Sequence, residues 1–352
     1  MSEAGGELSG VGKLYIKVRE KISPEFFPRI EEDAGAEVFF LEKALGIKFT
    51  KIPEKVQSST EDYLREAGNL IKIVSPEDGG NRLKRFFQKG KNEAYEIIAS
   101  EFLRSASGFF SPVSEKIYHK GEYAYFWHDR EGVMPELKKV NIVSLHEAMH
   151  AFHFQRDSTN KQVGFEGLQA LTSLIFKIGK REIGKEEARD LFEEMMVNRT
   201  MGEGIAEFGS RITHSYILEE WGKRFVEMGR SIAETTEFLD RLNKDVNKPI
   251  DISADNIKTQ TEKIKNYIKT QTEILFFRFS PANNQKLAKS LIEVNDAFYP
   301  VGFNFVNSCV RAMGERGISM SDALGYIIDH PPKKIDEISD PLKYLEKEGF
   351  KK

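Results

Sequence analysis

Five residues, His146-Glu147-Ala148-Met149-His150, constrain this chain more than any other segment. In a helix, residues four apart share a face, so both imidazoles can meet one ion while Glu147 stands about 100° around the axis, near a metal-bound water. With His146 at zero, His150 falls near 40° and His153 near 340°, whereas Leu145, Ala148, Met149 and Phe152 occupy roughly 200° to 300°. The pattern predicts a helix over 136–156 with an apolar back and a histidine front. Three of the chain's seven histidines crowd into eight residues here, and a chance His-Glu-x-x-His is expected on the order of once in a hundred such chains. Metal binding therefore outweighs the alternative of three satisfied structural histidines.

Two imidazoles need a further ligand. The extended His-Glu-x-x-His-x-x-Gly-x-x-His pattern is absent, because His153 occupies the glycine position and Arg156 that of the last histidine. The single cysteine, Cys309, excludes an internal disulfide and any cysteine-rich zinc ribbon. Ligands must come from His, Asp or Glu. The best segment is Gly202-Glu203-Gly204-Ile205-Ala206-Glu207-Phe208, in which Glu203 and Glu207 share one helical face and Ile205, Phe208 and Ile212 the opposite one. An alternative for Glu203 is a capping box, Thr200-x-x-Glu203, in which the glutamate serves a helix N-terminus. A di-iron bundle would need two Glu-x-x-His elements, and only Glu147 to His150 is suitably placed.

His146-Glu147-x-x-His150 together with Glu203-Gly204-x-Ala206-Glu207 resembles the gluzincin branch of the zincin metallopeptidases, the broad group of thermolysin-like enzymes and aminopeptidases. The resemblance implies a zincin-like fold, one zinc ion held by His146, His150 and Glu203, and Glu207 as the carboxylate that orients His146. It departs at Gly202, where asparagine is usual, at Glu207, where aspartate is commoner, and in the roughly fifty residues between the two motifs. It also implies a zinc-dependent hydrolase cleaving peptide bonds, with Glu147 as general base toward a zinc-activated water. Two alternatives stay open: a non-catalytic zinc-binding protein on the same scaffold, and a hydrolase of a non-peptide amide.

Hydrophobic periodicity places these motifs in an α+β, mainly α, chain. Leu14 to Val18 alternates like a strand, a helix is expected from Pro24 to Leu45 ending at Gly46, and Ile47–Ile52 and Leu70–Val74 are short apolar runs. Helical spacing continues over Asn81–Ser105. Strand-like runs at Val113–Tyr118 and Glu122–His128, joined near Lys120-Gly121, predict a hairpin just before the histidine helix. Beyond Pro135, helices are expected at about 136–156, 164–178, 185–197, 201–226, 228–243, 253–276 and 283–298. Ile257-Lys-Thr-Gln-Thr-Glu262 recurs eleven residues later, about three helical turns, which suits one amphipathic helix burying Ile257, Ile264, Ile268 and Leu275. Two regions follow: 11–134, α+β with a candidate substrate-aligning strand, and 135–352, helical and metal-binding.

In zincins an extended peptide adds to a sheet edge. The strand Glu122–His128 is the candidate for that edge, with Tyr123 and Tyr125 as substrate contacts. Tyr299, in an expected turn at Tyr299-Pro300-Val301-Gly302-Phe303, is a candidate oxyanion donor. His153 is a candidate for orienting a ligand. His214, eleven residues beyond Glu203, is expected to be structural, and His330-Pro331-Pro332 to begin a polyproline-like wrap. A net charge of −3 from 52 basic and 55 acidic residues gives nucleic acid no basic stripe. No apolar run reaches the roughly 18 residues a membrane helix needs. The expected partner is thus a peptide or protein substrate, not nucleic acid or membrane, and the expected location is the cytoplasm; the oligomeric state is left open.

Overall fold

A helix with an apolar back needs neighbours on three sides, and the computed structural model supplies them. It describes residues 33–58, 108–111, 114–120, 140, 142–156, 182–229, 231, 233, 235–236, 250–277 and 281–350. The runs expected at Leu14–Val18, Leu70–Val74, Asn81–Ser105, Glu122–His128 and 164–178, most of 228–243, and the region boundary at 134 lie outside these residues.

The chain is mainly helical, with a small mixed sheet ahead of the histidine helix. Helix α1 is Gly35–Leu45, followed by strands β1 (Glu54–Ser58), β2 (Gly108–Ser111) and β3 (Lys116–Lys120). Then come α2 (Ile142–Arg156), α3 (Lys185–Glu227), α4 (Ala254–Phe277), α5 (Pro281–Gly314), α6 (Met320–Asp329), α7 (Ile335–Ser339) and α8 (Pro341–Lys347). The strand order is β1-β3-β2, with β1 parallel and β2 antiparallel to β3.

Helix α1 starts at Gly35, because Asp33 is taken into a bridge with Glu54 and the Ala34 N–H donates to Pro53; the helix expected from Pro24 to Leu45 therefore does not run through 33–34, and 24–32 lie outside the described residues. It ends as expected at Gly46, whose φ of 69° suits glycine. Ile47–Ile52 forms no strand; Ile47 is buried and Phe49 packs on Phe152 with ring centroids 5.5 Å apart. The described hairpin is β2 with β3, one strand earlier than expected. Ser114 and Glu115 form a turn, with Glu115 at φ 54°, so the strand begins at Lys116 and runs back along Gly108–Ser111. The stacked pair Phe109–Tyr118 fixes that register.

The largest correction concerns α3. Expected as two helices, it is one of 43 residues, about 64 Å long. Packing explains the continuity: across the expected gap at 198–200, Val197 and Thr200 are fully buried and Met201 nearly so, and the Thr200 hydroxyl donates to the Met196 carbonyl one turn back, so tertiary contacts carry the helix through. Helix α5 likewise runs through Tyr299-Pro300 without a turn. Pro300 forfeits one backbone hydrogen bond, but Ala297, Phe298, Val301 and Phe305 around it are all at most 1% exposed. Helix α4 matches its expected span, with Ile257, Ile264 and Ile268 buried; the Leu275 side chain lies outside the described set. The tail after His330 docks on the core through two short helices, burying Ile335, Ile338, Tyr344 and Leu345, and not as a polyproline wrap.

Helix α3 is the spine: α2, α4, α5 and α1 all pack on it. Two buried polar links tie the sheet to the helices. Lys55 on β1 donates to both carboxylate oxygens of Glu37 on α1 at 3.1 Å, with both side chains fully buried. His119 on β3 meets the Ser144 hydroxyl on α2 at 2.8 Å, which pins the start of the histidine helix to the sheet. Burial, followed by the charge of Lys55, depresses the His119 pKa to about 3, so this imidazole is neutral. Among the described residues no helix is long and apolar enough to cross a membrane.

Candidate metal centre

The apolar back of α2 determines where its histidines point. Leu145, Ala148 and Met149 are fully buried, and Met149 lies over Gly209 of α3, where an added Cβ would fall 2.5 Å from its sulfur. That close crossing brings the opposite faces of α2 and α3 to one point. There the Nε2 atoms of His146 and His150 stand 3.2 Å apart, and Glu203 Oε2 lies 3.5 Å from the first and 3.8 Å from the second. The three donor atoms converge within 4.8 Å of one another.

This donor set fits a zinc ion. Two imidazole nitrogens and a carboxylate oxygen suit it chemically, and donors at 2.0–2.2 Å around a tetrahedral zinc stand roughly 3.3–3.5 Å apart, within the range of the observed separations. The capping-box alternative for Glu203 fails. Thr200 is a mid-helix residue whose hydroxyl donates to the Met196 carbonyl at 2.7 Å, so no helix N-terminus exists there.

Around the triad, His146 presents its other nitrogen, Nδ1, to Glu207 at 3.6 Å, and Arg211 Nε donates to Glu207 at 2.5 Å. Arg199, one turn before Glu203, sets Nη2 3.9 Å from Glu203 Oε1 and 2.6 Å from Asn295 Oδ1 of α5. Tyr299 of α5 faces the site, its ring centroid 6.2 Å from that of His146. Glu147 is 8% exposed and accepts a hydrogen bond from the Phe110 N–H of β2 at 2.8 Å. The sheet thus holds the carboxylate that the helix presents.

Metal-free, this cluster is electrostatically coupled. Burial lowers the His146 pKa, but the carboxylates of Glu203 and Glu207 outweigh it and raise the group to about 10. His150 is pushed down to about 3, chiefly by burial. Burial opposes ionisation of Glu203, yet the two histidines and Arg199 hold it down at about 2. Glu147 is raised to about 7, mainly by desolvation. One proton on His146 balances the carboxylates where a cation would otherwise do so.

The structure therefore brings together His146, His150, Glu203, Glu207 and Tyr299, with Glu147 alongside. His153 is buried on the same helix and lines a small cavity with Asn198, Met201, Ile205 and Ile327. His214 is buried farther along α3. Tyr123, Tyr125 and His128 lie outside the described residues. Arg199 and Arg211 were missed in sequence although each stands four residues from an acidic partner, a spacing that pairs charges on a helix. The Phe110 contact left no sequence signal, since it uses a backbone N–H from a distant strand. No family model, curated protein or solved structure matches this chain.

Proposed function

We propose that the chain is a zinc-dependent hydrolase, and more specifically a metallopeptidase, in which His146, His150 and Glu203 hold one zinc ion and Glu147 is the general base. The convergence of three donor atoms 3.2–3.8 Å apart, with a buried carboxylate on the next helical position, carries this reading. Bound zinc would supply a Lewis acid able to polarise a carbonyl and to bring the pKa of a water toward about 7.

The rest is done by side chains. Glu147, with a pKa of about 7, takes a proton from the attacking water and returns it to the leaving amine, a role that works best when base and medium are matched. Glu207 faces Nδ1 of His146, fixing which nitrogen is offered to the ion, and Arg211 holds Glu207 in turn. Tyr299 offers a phenol to the developing oxyanion. The Glu203 charge, then burial, raises its pKa well above the usual value, so it stays a donor at neutral pH.

A peptide substrate is favoured by β2. Among the described residues it ends the sheet order, and Phe110 turns its N–H toward Glu147. In an antiparallel strand the carbonyl of the same residue points the same way, offering an acceptor to an extended peptide laid along that edge.

The test is a mixed peptide library digested by zinc-loaded wild type and Glu147→Gln and read by mass spectrometry. Cleavage by wild type and a loss of about 10²-fold or more in the variant, with zinc retained, are expected. Wild type that holds zinc but cleaves no peptide would overturn the peptidase assignment.

A further inference from the structure

Tyr299 can stabilise an oxyanion only if its O–H hydrogen points into the site, since a phenol has one proton to donate and an oxygen that also accepts. Two helical pairs bear on where that hydrogen goes. On α3, Arg199 stands one turn before Glu203; on α5, Asn295 stands one turn before Tyr299, so each pair shares a face of its helix. The two helices cross at Gly204 and Gly302, backbone against backbone. Across that crossing Glu203 and Tyr299 lie at the histidines, while Arg199 meets Asn295.

The Arg199–Asn295 contact has a direction. A guanidinium only donates, so Nη2 at 2.6 Å faces the amide oxygen of Asn295, Oδ1, and the Phe298 ring of the same helix, 5.4 Å from Cζ, backs the guanidinium. With its oxygen turned toward α3, Asn295 turns its NH2 group away from it. Its side chain also hydrogen-bonds the Tyr299 phenol, and against the raising effects of the Glu203 charge and of burial this bond pulls the phenol's pKa down. A bond that favours the phenolate is one the phenol oxygen accepts, in keeping with the orientation that Arg199 imposes on the amide. An amide turned the other way would take the hydrogen of Tyr299 for itself.

We propose that Asn295 is a positioning residue for the reaction: held by Arg199, it donates to the Tyr299 oxygen and so leaves the phenol's hydrogen to the oxyanion. The inference rests on the reading of Tyr299 as oxyanion donor in a peptidase. Asn295→Asp is the variant that reverses the arrangement. A carboxylate still accepts from Arg199 but has no hydrogen to give at neutral pH, so the phenol turns its own hydrogen onto residue 295.

Zinc-loaded wild type and Asn295→Asp, labelled with tyrosine carrying 13C at Cζ, are compared by NMR, the Tyr299 signal being assigned by its loss in Tyr299→Phe. For a cleaved peptide, kcat and KM are measured in the wild type, Asn295→Asp, Asn295→Ala, Tyr299→Phe and the double variant Asn295→Asp/Tyr299→Phe, with zinc content checked. The Tyr299 signal should move downfield in Asn295→Asp, as for a phenol that begins to donate to a carboxylate. In that variant kcat should fall about tenfold or more, toward the loss of about 10²-fold expected for Tyr299→Phe, with KM little changed. The double variant should match Tyr299→Phe, and Asn295→Ala, which frees the phenol without capturing its hydrogen, should stay faster than Asn295→Asp. An unmoved signal, an Asn295→Ala protein no faster than Asn295→Asp, or an Asn295→Asp loss that persists in full on the Tyr299→Phe background, as an added charge or a disturbed fold would give, overturns the inference. A downfield signal in a protein that cleaves no peptide keeps the hydrogen-bond direction and removes the peptidase reading.

Discussion

Gly204 of α3 and Gly302 of α5 meet backbone to backbone, so close that a Cβ on either would overlap the other helix. The contact lies one residue from Glu203 and three from Tyr299. It therefore sets the distance between the element that carries a proposed ligand and the one that carries a proposed oxyanion donor.

Replacing Gly204 by alanine puts a methyl group where only backbone can yield. A loss of about 1–3 kcal/mol is expected from overpacking, together with weaker zinc binding as Glu203 is displaced. Gly314→Ala is the control, because nothing lies within 4 Å of its Cβ position; it should be neutral or stabilise by up to about 1 kcal/mol. Urea unfolding and zinc titration of both variants check the pair.

Glu147 should tie stability to pH in the metal-free protein. Its folded pKa of about 7 lies above its ordinary 4.5, so its contribution is fully present below about pH 4.5 and is lost as pH rises through about 7. Glu147→Gln keeps an oxygen for the Phe110 N–H but has no charge to bury. The variant should gain on wild type as pH climbs through that window, read as a widening difference in Tm. A constant difference from pH 4 to 8 would show that Glu147 is not buried as a charge.

Zinc uptake should release a proton. In the metal-free cluster His146 is protonated at neutral pH, its pKa lifted to about 10 by Glu203 and Glu207 against the effect of burial. The ion must displace that proton, so between pH 6 and 8 affinity should rise about tenfold per pH unit with release of about one proton. Calorimetry in two buffers of different ionisation enthalpy measures both quantities. In Glu207→Gln the release should fall, because one of the carboxylates that support the imidazolium is gone.

The Glu37–Lys55 pair predicts an asymmetry. Both side chains are fully buried, so Lys55→Met takes the cation from a buried carboxylate and should cost about 3–5 kcal/mol. Adding Glu37→Leu removes the buried charge and should recover most of it. Denaturant melts of the single and double variants decide; a double variant no better than the single one would mean that the pair does not act as a unit.

Much of the site was legible because helices translate spacing into direction. His146, His150, Glu203 and Glu207 were placed on their faces from residue numbers alone, and α4 from its eleven-residue echo. What misled was 198–200, read as a gap between two helices with Thr200-x-x-Glu203 as a possible cap, and Tyr299-Pro300, where proline suggested a turn. The helix crossing there depends on Gly204 and Gly302, whose missing side chains let the backbones meet, and the two stand about a hundred residues apart in sequence. Strand β1, Glu-Lys-Val-Gln-Ser, was equally hidden: its short polar sequence carries little alternation, and its place in the sheet comes from Lys55 burying itself on Glu37 and from pairing with β3.

The central claim is that His146, His150 and Glu203 together hold one zinc ion. Metal content by inductively coupled plasma mass spectrometry, on wild type and on folded Glu203→Ala after zinc loading and dialysis, tests it most directly. About one zinc per wild-type chain and a small fraction of that in Glu203→Ala is the predicted result. A wild type that stays folded and retains no zinc, or a Glu203→Ala protein that keeps it in full, would contradict the account.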